Sequence, residues 1–242
     1  MAGSSGLPWA RAAMRAGLVG RRQMARWALA GLQFRLRGST DDATRKILRE
    51  VKEVFAGTPA RDLSRLAPEV LVELIPRIYP QMLEEVYAHQ DAGRRTFIVS
   101  AAGDDLVQLL ARILNMDGGI GTPYEVGPDG RFTGELGGPF MYGPGKVEAM
   151  QRFAAEHGVD LSASWAYSDS ASDLPMLRAV GHPVAVNPDE ELARVAREEG
   201  WRVMRFERLG RRLAVAGFAV LLAAGGVLGR RRAVLGKRRT AR

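Results

Sequence analysis

The 242-residue sequence contains no cysteine. That absence excludes disulfide bonds, a thiolate nucleophile and every zinc site that uses cysteine. Histidine is almost as scarce: His89, His157 and His182 are the only three, and no two have the spacing of a paired metal motif. A metal site built on sulfur or imidazole is therefore not expected.

The amino end lacks the uncharged apolar stretch of a secretory signal, because arginines interrupt the apolar residues of 1–22. A cytoplasmic location is the expectation.

Basic residues are unevenly distributed along the sequence. Residues 202–242 hold eleven arginines and one lysine against one glutamate, a net +11, which leaves −3 of the total of +8 on residues 1–201. Because the main body is mildly acidic, nucleic acid is not an expected partner.

Long apolar runs are missing from the chain except at residues 213–229, seventeen residues without a charge between basic flanks. This length is at the lower limit for crossing a bilayer, where about 20 residues are typical. The segment predicts either a membrane helix that anchors the carboxyl end, or an apolar helix that docks on the domain or lies at a membrane surface. The sequence leaves the oligomeric state open.

Helical spacing of apolar residues dominates the first part of the chain and predicts a helical domain over residues 1–92. After Gly93 the period changes, and short apolar runs alternate with helical patterns as far as residue 207. A turn, "GPDG" at 127–130, predicts a hairpin. This alternation indicates an α/β fold, a Rossmann-like three-layer parallel sheet, followed by the apolar and basic tail at 208–242.

Polar residues follow three of the predicted strands or open the next helix. Ser100 ends the run at 95–100, Lys146 opens a helix, and Asp169 and Asp173 follow the strand at 163–168. Ligands of such sheets bind at the carboxyl ends of the strands. Two carboxylates suit Mg²⁺, and a serine with free amides beside a lysine suits a phosphate. Taken singly, each acid could instead cap a helix, the serine could be an N-cap, and the lysine could be solvated.

The order serine, lysine, paired acids resembles the haloacid dehalogenase superfamily, specifically its phosphoserine-phosphatase-like branch. The three segments that carry the resemblance are "FIVSAA" at 97–102, "YGPGKVEAM" at 142–150 and "DSASD" at 169–173. The resemblance implies a Mg²⁺-dependent hydrolase that acts on a small phosphorylated substrate. It implies further that the helices of residues 7–92 form a cap over the active site.

The resemblance also implies a role for each site residue. Ser100 and the backbone of Ala101 would bind the phosphoryl oxygens, and Lys146 would bind phosphate and take part in catalysis. Asp169 would hold Mg²⁺, and Asp173 would support or complete its ligand shell.

One motif of that family is absent from the sequence. Its first strand ends in Asp-x-Asp, whose first aspartate attacks phosphorus to form an aspartyl-phosphate, and this sequence contains no Asp-x-Asp. The opening "MAGSSGLPWA" resembles the segment that follows this motif, so the first strand is expected to be missing and its two neighbouring strands to lack a partner. Weak metal binding and negligible hydrolysis are the expectation. The alternative is a non-catalytic, membrane-tethered regulatory or binding protein on a degenerate phosphatase fold.

Overall fold

Helices make up most of the described part of the first ninety-two residues. A computed structural model describes residues 6–20, residue 22 and residues 41–206. Pro76 lies in a single 3₁₀ turn, and Pro80 begins the next helix at a position where its missing N–H costs nothing. The helices are α1 (Gly6–Arg15), α2 (Asp41–Phe55), α3 (Ala60–Ser64), α4 (Ala67–Leu74) and α5 (Pro80–Asp91).

Strands and helices alternate after α5, which confirms the predicted α/β class. The strands are β1 (Phe97–Gly103), β2 (Gly118–Thr122), β3 (Tyr124–Val126), β4 (Phe132–Leu136), β5 (Trp165–Ser168), β6 (His182–Val186) and β7 (Arg202–Met204). The helices are α6 (Asp104–Ile113), α7 (Pro144–His157), α8 (Leu174–Arg178) and α9 (Glu190–Glu198). Strands β3 and β4 form the predicted antiparallel hairpin.

The parallel strands lie in two sheets among the described residues. Strands β1 and β2 pair with each other, and β5, β6 and β7 pair in that order. Within this part of the chain, β1 and β5 each have a pairing partner on one edge only. Val99 of β1 nevertheless packs against the apolar cluster that contains Ala166 of β5 and Ala185 of β6. The two sheets therefore share side-chain packing without sharing a hydrogen-bonded ladder.

Strand β2 is a parallel strand that sequence reasoning missed. Its sequence, "GGIGT", is rich in glycine, which disfavours strands in general. The glycines are needed because α6 packs directly on this strand. A Cβ at Gly119 would lie 2.7 Å from Cγ1 of Val107, and one at Gly121 would lie 2.5 Å from the Cα of Asp104.

One apolar cluster joins the helices of the first ninety-two residues to the rest of the chain. Ala12 of α1 and Leu71 and Leu74 of α4 pack with Leu106 of α6. A single compact unit extends to Met204. The predicted boundary at residues 92 and 93 remains a prediction.

The tail segment at 213–229 lies outside the described residues. In the part of the chain that the structure does describe, no helix combines the length and apolar character needed to cross a membrane. The predicted anchor is therefore neither supported nor contradicted by these helices.

A polar network attaches α5 to the three-stranded sheet. The hydroxyl of Tyr167 in β5 donates to Glu85 at 3.0 Å, and Arg202 in β7 holds the same carboxylate at 2.8 and 3.1 Å. The Nε2 atom of His89 lies 2.8 Å from the Tyr167 hydroxyl, and the Nδ1 atom of the same histidine lies 3.4 Å from Nη1 of Arg94. Because the tyrosine proton goes to Glu85, the network assigns to His89 a neutral ring that donates from Nε2 and accepts at Nδ1.

We expect acid to weaken this attachment. Burial, and then the charge of Arg94, lower the pKa of His89 below its ordinary 6.5, although Glu85 opposes the shift. Because the pKa of His89 is lower in the folded protein than in the unfolded chain, neutral His89 contributes stability at pH values above the unfolded pKa. This contribution is lost as the pH falls through the pKa of the folded protein. Urea unfolding between about pH 7.5 and 5 should therefore show that the free energy of unfolding falls more steeply with decreasing pH in wild type than in His89→Gln. Equal slopes would contradict this role of His89.

Candidate functional site

A buried ion pair forms the centre of the site. Lys146, in the first turn of α7, donates from Nζ to Oδ1 of Asp173 at 2.7 Å. The two side chains are only 10% and 12% exposed. The hydroxyl of Ser168, the last residue of β5, donates to the other oxygen, Oδ2, at 2.7 Å. Both oxygens of Asp173 are therefore hydrogen-bonded, and this carboxylate fixes the position of the lysine.

Tight packing of the preceding loop places Lys146 inside the protein. Gly143 precedes α7 with φ +52°, a left-handed conformation that glycine tolerates best. A Cβ at Gly145 would lie 2.0 Å from the carbonyl oxygen of Phe140. Since only glycine allows this approach of two backbone segments, the sequence "GPGK" fixes where the helix and its lysine begin.

Asp169 follows β5 and lies near the ion pair. Burial raises its pKa above 3.8, and the neighbouring carboxylates of Asp173 and Asp189 raise it further. Lys146, a cation of this region, is bonded to Asp173. Although Asp169 remains an exposed residue, its carboxylate is partly desolvated and lies near like charges, which a bound cation would stabilise.

This arrangement fits a hard divalent cation. Mg²⁺ in proteins is bound by one or two carboxylates together with water and substrate phosphate, and it prefers oxygen ligands. Asp169 and Asp173 interact electrostatically, and Asp173 already has two hydrogen-bond partners; a shared metal site for the two remains a prediction. Across residues 6–20, 22 and 41–206, no group of three or more histidine, aspartate or glutamate side chains is placed to hold a metal ion. Asp169 would therefore be the principal protein ligand, with water or phosphate oxygens completing the shell.

Ser100 lies in a bulge of β1, not at its end. The strand was expected to stop at Ser100, but it continues to Gly103, and its pairing with β2 shifts between Val99 and Gly103. The Ser100 hydroxyl accepts from the backbone N–H of Ala102 at 3.2 Å. Bulges release backbone groups from the ladder, so this segment is suited to binding an anion through its main chain.

The structure places the predicted residues on the expected elements but does not connect all of them. Ser100 makes its side-chain hydrogen bond within its own bulge, while Lys146 and Asp173 bond to each other. No hydrogen bond observed among the described residues joins Ser100 to Lys146 or to Asp169. A phosphate between them would have to provide that connection.

Asp189 belongs to the site and was missed by sequence reasoning. Its carboxylate accepts from the backbone N–H of Ala171 at 2.8 Å and from that of Leu192 at 2.8 Å. Its own N–H donates to the carbonyl of Asp169 at 3.0 Å. Asp189 therefore caps α9 and holds the loop that carries Asp169. An aspartate directly before an acidic first helical turn was the available signal.

Comparison with known proteins gives one family for most of the chain. The model of the family described as haloacid dehalogenase-like hydrolase matches residues 1–178. An "Inhibition of morphological differentiation protein" of Streptomyces azureus is 37% identical over 222 residues, which cover 91% of this chain and 80% of that protein.

Two further similarities concern activity and fold. A phosphoserine phosphatase of Mycobacterium tuberculosis, SerB1, is 37% identical over 197 residues, which cover 80% of this chain and 62% of that protein. A crystal structure of a Bordetella pertussis protein of unknown function is 27% identical, with a TM-score of 0.71, over 83% of this chain and 91% of that one.

Proposed function

Because the chain belongs to the haloacid dehalogenase-like hydrolase family, we propose that its site is the Mg²⁺-binding and phosphate-binding part of a phosphomonoester hydrolase. The substrate would be a small phosphorylated molecule. The observation that carries the proposal is the buried Lys146–Asp173 pair beside Asp169, at the carboxyl ends of parallel strands. Similarity to a phosphoserine phosphatase supports it.

Lys146 is suited to bind a phosphoryl oxygen. An ammonium group has three donors, and Asp173 takes one of them. Because Asp173 and the packed loop fix the lysine, little side-chain entropy remains to be lost when an anion arrives. The remaining donors would neutralise negative charge on the phosphate and thereby favour attack on phosphorus.

Ser100 and the bulge around Ala101 would orient the phosphoryl group. The hydroxyl of Ser100 can turn from its local bond to donate to a phosphoryl oxygen, and backbone N–H groups in the bulge would add further donors. Asp169 would hold Mg²⁺. Bound Mg²⁺ supplies positive charge that stabilises the phosphoryl oxygens.

The chemical step needs a nucleophile, and the 242-residue sequence contains no Asp-x-Asp motif that could provide it. We therefore propose that the 242-residue polypeptide binds phosphate and Mg²⁺ but hydrolyses phosphomonoesters negligibly or slowly. Membrane attachment through 213–229, a cytoplasmic location and the regulatory alternative remain predictions.

A direct assay tests the two parts of this proposal separately. Release of phosphate from phosphoserine and from p-nitrophenyl phosphate should be at or near background for the purified chain, with or without Mg²⁺. Inorganic phosphate should still bind when Mg²⁺ is present. Mg²⁺-dependent hydrolysis that Asp169→Ala abolishes would overturn the proposed impairment, whereas failure to bind phosphate would overturn the proposed site.

A further inference from the structure

We infer that Thr122 is a positioning residue, which links the phosphate-binding bulge to the loop that places Lys146. The inference rests on the proposed function of that site. Thr122 ends β2, and its residue surface is 0% exposed. A buried hydroxyl needs hydrogen-bond partners, and the identity of those partners shows which segments it connects.

The hydroxyl of Thr122 has one partner on each side. It donates to the carbonyl oxygen of Ala101 at 2.9 Å and accepts from the backbone N–H of Met141 at 3.3 Å. A hydroxyl carries one donor and two acceptor sites, so both bonds can exist together. Ala101 belongs to the bulge, and Met141 belongs to the loop before α7. One side chain thus connects two segments that come from different parts of the chain.

The bond to Ala101 replaces a missing ladder bond. Strand β1 pairs with β2 at Val99 and again at Gly103, so Ala101 lies in the interval where the register shifts. A carbonyl released from the ladder is costly when buried unless another donor reaches it. Thr122 provides that donor and thereby fixes the orientation of the peptide between Ala101 and Ala102, whose N–H donates to the Ser100 hydroxyl.

The bond to Met141 extends this control to the lysine. Met141 is 1% exposed, and its neighbour Phe140 has its carbonyl directly against Gly145. Because the approach at Gly145 leaves no room for even a Cβ, a displacement of residues 140–141 has to displace the start of α7. The lysine at position 146 would move with it. Thr122 therefore couples the position of the bulge to the position of Lys146.

Two variants separate the hydroxyl from the shape of the side chain. Thr122→Val keeps the branched shape and leaves the carbonyl of Ala101 and the N–H of Met141 unpaired. Thr122→Ser keeps the hydroxyl and gives it a freer rotor. Thr133→Val is the matched control, since the hydroxyl of Thr133 bonds to Glu125 on the exposed hairpin.

The test measures binding of inorganic phosphate in the presence of Mg²⁺ by calorimetry, together with hydrogen exchange at the Met141 amide. Thr122→Val should weaken phosphate binding about tenfold and speed exchange at Met141. Thr122→Ser and Thr133→Val should stay within about twofold of wild type. Should Thr122→Val fail to fold, Thr122→Ala replaces it in the same comparison with the serine variant.

The outcomes distinguish this inference from the function on which it rests. Faster exchange at Met141 with unchanged phosphate affinity would overturn the positioning role and leave Thr122 a structural residue. Loss of affinity in Thr122→Ser equal to that in Thr122→Val would also overturn it. Absence of phosphate binding by wild type would overturn the proposed function and the inference with it.

Discussion

Replacement of Lys146 by methionine is expected to lower the free energy of unfolding by about 3–5 kcal/mol. The side chain of Asp173 is 12% exposed, and its two oxygens accept hydrogen bonds from Lys146 and Ser168. Without the lysine, its charge stays buried with one neutral donor, and most of the expected cost comes from this uncompensated charge. Urea unfolding in EDTA measures the change.

Two further variants show whether charge is the cause. In Lys146→Met/Asp173→Asn both charges are gone and the amide still accepts from Ser168, so the double variant should be more stable than Lys146→Met alone. Arg194→Met removes an exposed pair, with Glu198 at 2.8 Å, and should cost less than about 0.5 kcal/mol. A double variant that is less stable than Lys146→Met would contradict this explanation.

Replacement of Asp169 by asparagine is expected to stabilise the metal-free protein slightly at neutral pH, by less than about 0.5 kcal/mol, because solvent screens the charge of this exposed residue. Burial and the nearby carboxylates raise the pKa of Asp169 above 3.8. When the pKa of an acid is higher in the folded protein than in the unfolded chain, its protonated form contributes stability at pH values below the unfolded pKa. This contribution is lost as the pH rises through the pKa of the folded protein. At neutral pH the wild type therefore carries the cost of a partly desolvated charge near other carboxylates, which asparagine does not.

The same variant should lose the response to Mg²⁺. At a Mg²⁺ concentration about 100 times its dissociation constant, the wild type should gain about 2.7 kcal/mol, because binding to the folded state alone stabilises it. Asp169→Asn should gain far less, since the principal ligand has lost its charge. Thermal unfolding in EDTA and in Mg²⁺ measures both effects. A variant that is less stable than wild type in EDTA, or equally stabilised by Mg²⁺, would contradict the assignment of Asp169.

Most of the described helices and strands were predictable because they depend on local patterns. The period of apolar residues changes after Gly93, and the structure changes there from helices to alternating strands and helices. Lys146 lies in the first turn of a helix because Pro144, at the first helical position, is a helix-start signal. These features depend on neighbours in sequence.

Features that depend on distant contacts were not predictable from the pattern. The strand "GGIGT" needs its glycines because α6 lies against it, and nothing within five residues shows that contact. The bulge after Val99 depends on the register of β1 against β2. The bonds of Thr122 and Asp189 join segments about 20 residues apart, so their roles appear only when those segments meet.

Binding of inorganic phosphate in Mg²⁺ and in EDTA tests the central claim most directly, namely that Ser100, Lys146 and Asp169 belong to one site. Mg²⁺ should tighten phosphate binding by a factor in the range of about 5–150, and phosphate should tighten Mg²⁺ binding by the same factor, because coupling between two ligands is reciprocal. Asp169→Asn should remove this coupling. Equal affinity for phosphate in Mg²⁺ and in EDTA would contradict the account.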